Sequence, residues 1–385
     1  MVKRLGFVSK TLVIVTIILL FGMSLNTSAI NVEDKKSTIP TIGNILYVGG
    51  TGEGNHTNIQ DAIDDAFDGD TIVVYPKIYK ENILVNKQLT LKGIKVENIP
   101  TIDGCKINDV VTITADYCSL EGFNVVNSSE TNWTYSGISI SSCNNVIKDN
   151  ILSDNFNGIW LEGSDNNIIY NNNFCLNTLG VSLAKSCGNN ISNNGFYNNT
   201  LGIHLLFLSN YNVFSNNIFD GTGFQITQSS NNEITKNSIT NQYNVISPNF
   251  GLALYLSNNN IIIQNKIENY EWWGISIETS KNNMISRNNI MYNGLYGIYL
   301  SGLSRKNTIK QNNFIENGFN DDFIPKIIPT ENAFFIKCFL NKWEENYWDD
   351  WTYKLPRPIK GRMGIIGLTP FLNFDLHPAE EPYNI

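Results

Sequence analysis

The sequence is poor in the residues that usually carry chemistry. Its 385 residues hold 3 histidines, 6 cysteines and 5 methionines. His56, His204 and His377 sit in three distant regions, and Met284, Met291 and Met363 do not group, so no cluster of copper donors is visible. The cysteines are Cys105, Cys118, Cys143, Cys175, Cys187 and Cys338. They include no Cys-x-x-Cys pair and share no phase in neighbouring repeats, which argues against structural zinc and a ladder of disulfides. Basic residues are scarce too: 27 Lys and Arg stand against 35 Asp and Glu, for a net charge of −8. That balance repels phosphate backbones and excludes nucleic acid as a partner. The glycine-rich turn Gly49–Gly54 lacks the Lys-Ser/Thr of a phosphate loop.

The apolar run Thr11–Met23 follows Lys3, Arg4 and Lys10 and precedes the small residues Thr27-Ser28-Ala29. Residues 1–29 therefore read as a secretory signal, with an uncleaved membrane anchor as the alternative. Either reading puts the body outside the cytoplasm, secreted or at the cell surface. Without that segment's three basic residues the balance is 24 against 35, or −11.

What the chain does have is one phrase spoken eight times. It occurs at Gly137-Ile138-Ser139-Ile140, Gly158-Ile159-Trp160-Leu161, Gly180-Val181-Ser182-Leu183 and Gly202-Ile203-His204-Leu205. It returns at Gly223-Phe224-Gln225-Ile226, Gly251-Leu252-Ala253-Leu254, Gly274-Ile275-Ser276-Ile277 and Gly297-Ile298-Tyr299-Leu300. The glycines are spaced by 21, 22, 22, 21, 28, 23 and 23 residues. A fixed period in this range marks a solenoid.

Each repeat has three apolar strand cores, such as Ile159/Leu161, Ile169 and Phe174, separated by asparagines. Pairs recur at Asn144-Asn145, Asn166-Asn167, Asn189-Asn190, Asn231-Asn232, Asn259-Asn260 and Asn282-Asn283. Asparagine tolerates a left-handed corner, and its amide can bond to the same amide one coil away. Three short strands per ~22 residues predict an all-β, right-handed, single-stranded parallel β-helix of about 11 coils. A leucine-rich repeat would need a Leu-x-x-Leu-x-Leu frame, which is absent.

The expected layout is a leader at 30–44, an N-terminal cap at 45–70, the β-helix at 71–342 and an aromatic C-terminal cap at 343–385. In the first cap, Thr57 or Asn58 would cap a helix through Ile59, Ala62, Ile63, Ala66 and Phe67, plugging the open solenoid end. In the second, Trp343, Tyr347, Trp348 and Trp351 would cover the last coil.

The repeat, the opening Tyr47-Val48-Gly49-Gly50…Ile59-Gln60-Asp61-Ala62-Ile63…Gly69-Asp70-Thr71-Ile72 and the close Asn346-Tyr347-Trp348-Asp349-Asp350…Pro382-Tyr383 resemble secreted NosD-like β-helix proteins. That group belongs to the carbohydrate-binding and sugar-hydrolase (CASH) repeat family, common in methanogenic and related archaea. The resemblance covers nearly all of Leu46–Ile385. It implies the right-handed β-helix and brings copper into view as a cofactor, since the namesake's role lies in copper delivery. Sugar-cleaving β-helices resemble one another in using the outer face of such a strand as a groove, and related enzymes carry Asn-Thr-Asp, Gly-His-Gly or Asp-Pro-His signatures, or a catalytic Arg beside acidic calcium ligands. None of these motifs is present.

Strand alternation turns outward a row running Ser139, Trp160, Ser182, His204, Gln225, Ala253, Ser276 and Tyr299. A second row runs Ser141, Glu162, Ala184, Leu206, Thr227, Tyr255, Glu278 and Ser301. Glycoside hydrolysis needs two carboxylates about 5–9.5 Å apart. Glu162 and Glu278 stand five coils apart, roughly 24 Å at strand spacing. Just before the glycines, Phe250, Trp273 and Tyr296 would form an aromatic file with Trp272 adjacent and Tyr255 and Tyr299 close by. Such a file suits sugar rings, or it merely stiffens the corner. Trp160 and His204 join it as candidate ligand residues. Asp321, Asp322, Asp349 and Asp350 are candidate calcium ligands. The expected function is a monomeric, non-catalytic surface protein binding a polysaccharide or another cell-surface glycan or protein. The alternatives are a polysaccharide-active enzyme with an unrecognised site and a copper accessory protein.

Overall fold

The structure, a computed structural model, describes residues 43–241, 248–318, 331–364 and 369–385. The proposed signal and residues 30–42 of the leader lie outside them. Over the described residues the chain winds as a right-handed parallel β-helix of about 13 turns, with a single short helix among them. Three strand stacks form its walls. The first face holds the Gly-Ile-x-Leu strands, from Ile83–Val85 through Asn157–Glu162 to Arg357–Met363. The second holds strands such as Ile168–Tyr170, and the third strands such as Asn173–Cys175. The third face alone stacks 12 strands, one more than the expected coil number. The surplus lies at the ends. Ile45–Val48, assigned from sequence to the cap, is the first rung of the second face, paired with Thr71–Val74.

One coil shows why these residues build the wall. Ile159, Leu161, Ile169 and Phe174 point inward and are fully buried. Each such side chain contributes about 1.5–3 kcal/mol over its exposed state. The recurrent glycine has a packing cause. A Cβ on Gly158 would stand 2.5 Å from the Gly180 carbonyl oxygen and 2.6 Å from the Phe174 ring. Phe174, Phe196 and Phe219 then stack along the axis, with centroids 4.8 and 4.7 Å apart.

The asparagine pairs divide their labour. Asn166 takes the left-handed conformation, with φ +58°, and Asn167 supplies the ladder. Its Nδ2 donates to Oδ1 of Asn189 at 3.1 Å, while its backbone N–H donates to the same oxygen at 2.8 Å. The ladder continues through Asn212, Asn232, Asn260, Asn283 and Asn307 to Asn341. At Asn189-Asn190 the phase slips by one: Gly188 makes the turn and Asn189 the ladder. A second ladder runs along the next corner from Asn150 to Asn346. A serine ladder from Ser164 to Ser304, unannounced by any sequence argument above, lines the first corner beside the asparagines.

Both ends are closed. The N-terminal helix, Ile59–Asp65, buries Ile59, Ala62 and Ile63 over the first coil. Asn58 occupies the N-cap position but makes no capping bond. Instead both oxygens of Glu81 accept the N–H groups of Ile59 and Gln60, each at 3.0 Å. At the other end Lys87 Nζ donates to the carbonyls of Ile63, Asp64 and Ala66. The C-terminal region differs from a simple cover. Trp343 and Trp348 are core residues of the last coil, in register with Ile309 and Phe314. Closure comes from Arg357–Met363 and Thr369–Asp375, which pair antiparallel and join the first face to the second. The tail then turns back along the third face, where Asn313 holds the Tyr383 backbone through both amide atoms at 2.8 and 2.9 Å.

Candidate functional site

The first face separates the expected site residues into two groups. Near its N-terminal half, Trp160 is 3% exposed and packs beside Ala184 and Leu206. Trp133, from a loop outside the repeat, lies edge-on over it at 5.2 Å. Trp160 is thus covered and offers no ring to a ligand, contrary to the expectation from alternation. His204 is half-buried on the same face, with its Nε2 inward and without a hydrogen-bond partner. Desolvation pushes its pKa down to about 4, so the imidazole is neutral at ordinary pH.

The second group comes together as the repeat spacing implied. Phe250, Trp273 and Tyr296 are direct neighbours in register. Trp272 occupies the corner just before its strand, where its carbonyl accepts the N–H groups of Leu295 and Tyr296. The rings do not lie side by side as an open shelf. Trp273 stacks on Tyr299 at 5.1 Å, Tyr299 on Tyr296 at 5.6 Å, and Tyr296 on Phe334 at 5.2 Å. This file buries Tyr296 to 3% exposure, which removes it from direct ligand contact. Phe334 entered the cluster unseen because 34 residues separate Asn307 from its ladder partner Asn341, which hides the phase.

The accessible part of the patch is smaller. Trp272 is 37% exposed and meets Trp273 edge-on at 5.5 Å. Phe250 and Tyr255 are half-buried in the preceding coil, with the small Ala253 between them on the strand. Tyr255 is in register with Glu278. Glu278 has an exposed side chain overall, yet partial burial of its carboxyl raises its pKa. Burial likewise raises the Tyr299 phenol. The Trp273 indole N–H is buried and unpaired.

The same stretch breaks the third corner's asparagine ladder. Asn155, Asn177 and Asn199 form it, and it resumes only at Asn293 and Asn317. Between them Tyr270 fills the corner, donating its hydroxyl to the Thr222 carbonyl at 2.5 Å. Thr222 Oγ1 and Asn241 Oδ1 are left buried without partners.

The two glutamates of the outward row do not form a hydrolytic pair. Glu162 and Glu278 remain five registered coils apart, about 24 Å at strand spacing. The calcium candidates that can be placed are engaged elsewhere. Asp349 accepts from Asn332 at 2.9 Å and from the Glu316 N–H at 2.6 Å, and Asp350 pairs with Arg357. Asp321 and Asp322 lie outside the described residues.

Two family models match the chain. One, described as "Periplasmic copper-binding protein (NosD)", covers residues 63–249, and the other, "Right handed beta helix region", covers residues 206–324. A cell surface glycoprotein of Methanothermus fervidus is 44% identical over 72 residues, which is 18% of this chain and 12% of that protein. The match thus spans only a small part of that relative's length. Among solved structures, the A-module of the Azotobacter vinelandii mannuronan C-5 epimerase AlgE6 has a TM-score of 0.61 at 14% identity, over 75% of this chain and 87% of that one. The Agl-KA catalytic domain gives 0.59 at 14%, over 73% and 61%. The Dettilon tailspike protein gives 0.56 at 16%, over 77% and 68%. At these identities the likeness is one of fold.

The first description names copper, and the donors here do not fit it. The register neighbours of His204 are Ser182 and Gln225. Cys143 and Cys187 share a phase but stand two coils apart, with Asp165 between them. Among the described residues no three His, Cys, Asp or Glu side chains converge as a metal site.

Proposed function

Because the chain is a NosD-like right-handed β-helix protein, we propose that it is an extracellular or cell-surface module that binds glycan without transforming it. The observation that carries this reading is the aromatic patch on one face, where Phe250 pairs in register with Trp273, Trp272 meets Trp273 edge-on, Trp273 stacks on Tyr299 and Tyr255 stands at the far end of the Phe250 strand. Aromatic rings bury the apolar faces of sugars, while neighbouring polar groups orient the hydroxyls. The glycoprotein relative supports the surface location, and fold neighbours whose names include a mannuronan epimerase support polysaccharide as the ligand class. Among the described residues, the outward row of this face sets Glu162 and Glu278 five coils apart, which favours binding over hydrolysis.

Affinity electrophoresis of the full chain through polysaccharide gels tests the reading. Retardation should fall in Trp272→Ala and in the Trp272→Ala/Trp273→Ala double variant. Thermal melts of both would establish that the fold persists. Unchanged retention in Trp272→Ala, the more exposed residue, sinks the proposal. Reducing ends or unsaturated products released from the same polymers would support the enzyme alternative instead, and copper retained through purification the accessory one.

A further inference from the structure

We infer that the first face takes uncharged sugars and excludes uronate polymers, an inference that rests on the glycan-binding reading above. The strands of this face from Ser136–Ile140 to Glu331–Ile336 contain neither lysine nor arginine. Their carboxylates are Glu162, Glu278 and Glu331. His204 adds no positive charge, being held neutral by its burial. Lys185 and Lys337 stand at the corner just past two of these strands, and the first cations within the face's strands, Lys360 and Arg362, belong to its last one, where Lys360 is paired with Glu331.

The other faces are different. Lys92, Lys148, Lys310 and Lys342 lie on strands of the second, and Lys266 on the third. The lack of cations is therefore a property of the face that carries the aromatics, beyond the chain's general acidity. Lys281 and Arg305 stand past the next corner, where Arg305 lies over the Phe339 ring at 5.9 Å.

A uronate polymer brings a carboxylate on every sugar and is ordinarily held by arginine or lysine. On this patch it would meet Glu278 in a partly desolvated setting, where like charges repel more strongly than in water. A neutral sugar meets no such barrier. Its hydroxyls can donate to the Glu278 carboxylate while its ring lies against Tyr255 or Tyr299, with the next sugars of the chain running along the strand towards Trp272.

The test compares gels containing a neutral glucan, a neutral galactomannan and mannuronan at low salt. The native chain should bind at least one neutral polymer about tenfold or more tightly than mannuronan. Glu278→Lys should gain mannuronan retention that weakens as salt rises, whereas Glu162→Lys, five coils away, should gain none. Equal or stronger native retention by mannuronan overturns the inference, as does a folded Glu278→Lys that gains nothing. Retention by no polymer would instead sink the glycan-binding reading on which it stands.

Discussion

Asn346 ends its ladder on Asp375, donating to Oδ2 from its backbone N–H at 2.9 Å and from Nδ2 at 3.0 Å. The Trp348 indole N–H adds a third donor to that oxygen at 3.2 Å, and the N–H groups of Glu345 and His377 reach Oδ1. A ladder amide such as Asn167 sends one bond to the Oδ1 of the next coil and another back to a carbonyl of the coil before. At the end of the ladder both oxygens of Asp375 receive N–H groups, which calls for a partner that only accepts. A buried carboxylate is such a group.

Asp375→Ala should therefore destabilise the protein by about 2–4 kcal/mol, since it strands several buried donors. Asp375→Asn should cost a similar amount despite its size, because an amide NH₂ would face donors. Urea unfolding would measure the loss. Hydrogen exchange should show it concentrated in the last coil, and an unaltered Asp375→Asn would disprove the acceptor-only role.

Gly158→Ala should cost about 1–3 kcal/mol through overpacking against Phe174 and the Gly180 carbonyl. Gly163 provides the contrast. It has φ +59° and nothing within 4 Å of a built Cβ, so Gly163→Ala pays only the left-handed penalty of about 1 kcal/mol. Comparing unfolding midpoints checks the order.

Lys87→Met keeps the aliphatic stem but removes three hydrogen bonds from the C-terminal end of the N-terminal helix. A loss of about 1–2 kcal/mol is expected, with faster amide exchange in residues 59–66. Exchange unchanged in that helix would show the clamp to be idle.

His204 makes stability depend on pH. Its folded pKa, about 4, lies below the ordinary 6.5, so the unfolded chain binds the proton more readily. The neutral-form advantage is full above about pH 6.5, declines as pH falls towards 4 and is then exhausted, amounting to roughly 3 kcal/mol. His204→Leu should lose less stability than the native chain between pH 7 and pH 4. It should also be at least as stable at pH 7, where it removes an unpaired buried nitrogen. Parallel denaturation curves at both pH values would contradict this.

The repeat was legible because its chemistry recurs: Ile159 must face inward, Gly158 must make room for Phe174, and Asn167 must bond to Asn189. The register of Phe250, Trp273 and Tyr296 followed from the glycine spacing alone. Features contributed by non-repeating residues were not legible. Trp133 covers Trp160 from a loop with no period. Glu81 and Lys87 reach the helix from about 20 residues away, where no local capping pattern applies. Trp343 and Trp348 stand where earlier coils carry smaller apolar groups, and their size disguised them as a lid.

The closure of the C-terminal end has a mechanical consequence. Neighbouring coils are tied by backbone bonds and amide ladders arranged in series along the axis. A pull on the C-terminus must first lift the tail from Asn313, and then open the pairing of Arg357–Met363 with Thr369–Asp375 and the grip of Asp375. After that the coils should peel away one by one, each freeing about 22 residues, or roughly 70–80 Å of chain. Under force, such a solenoid would lengthen in steps and absorb a tug rather than break at one threshold.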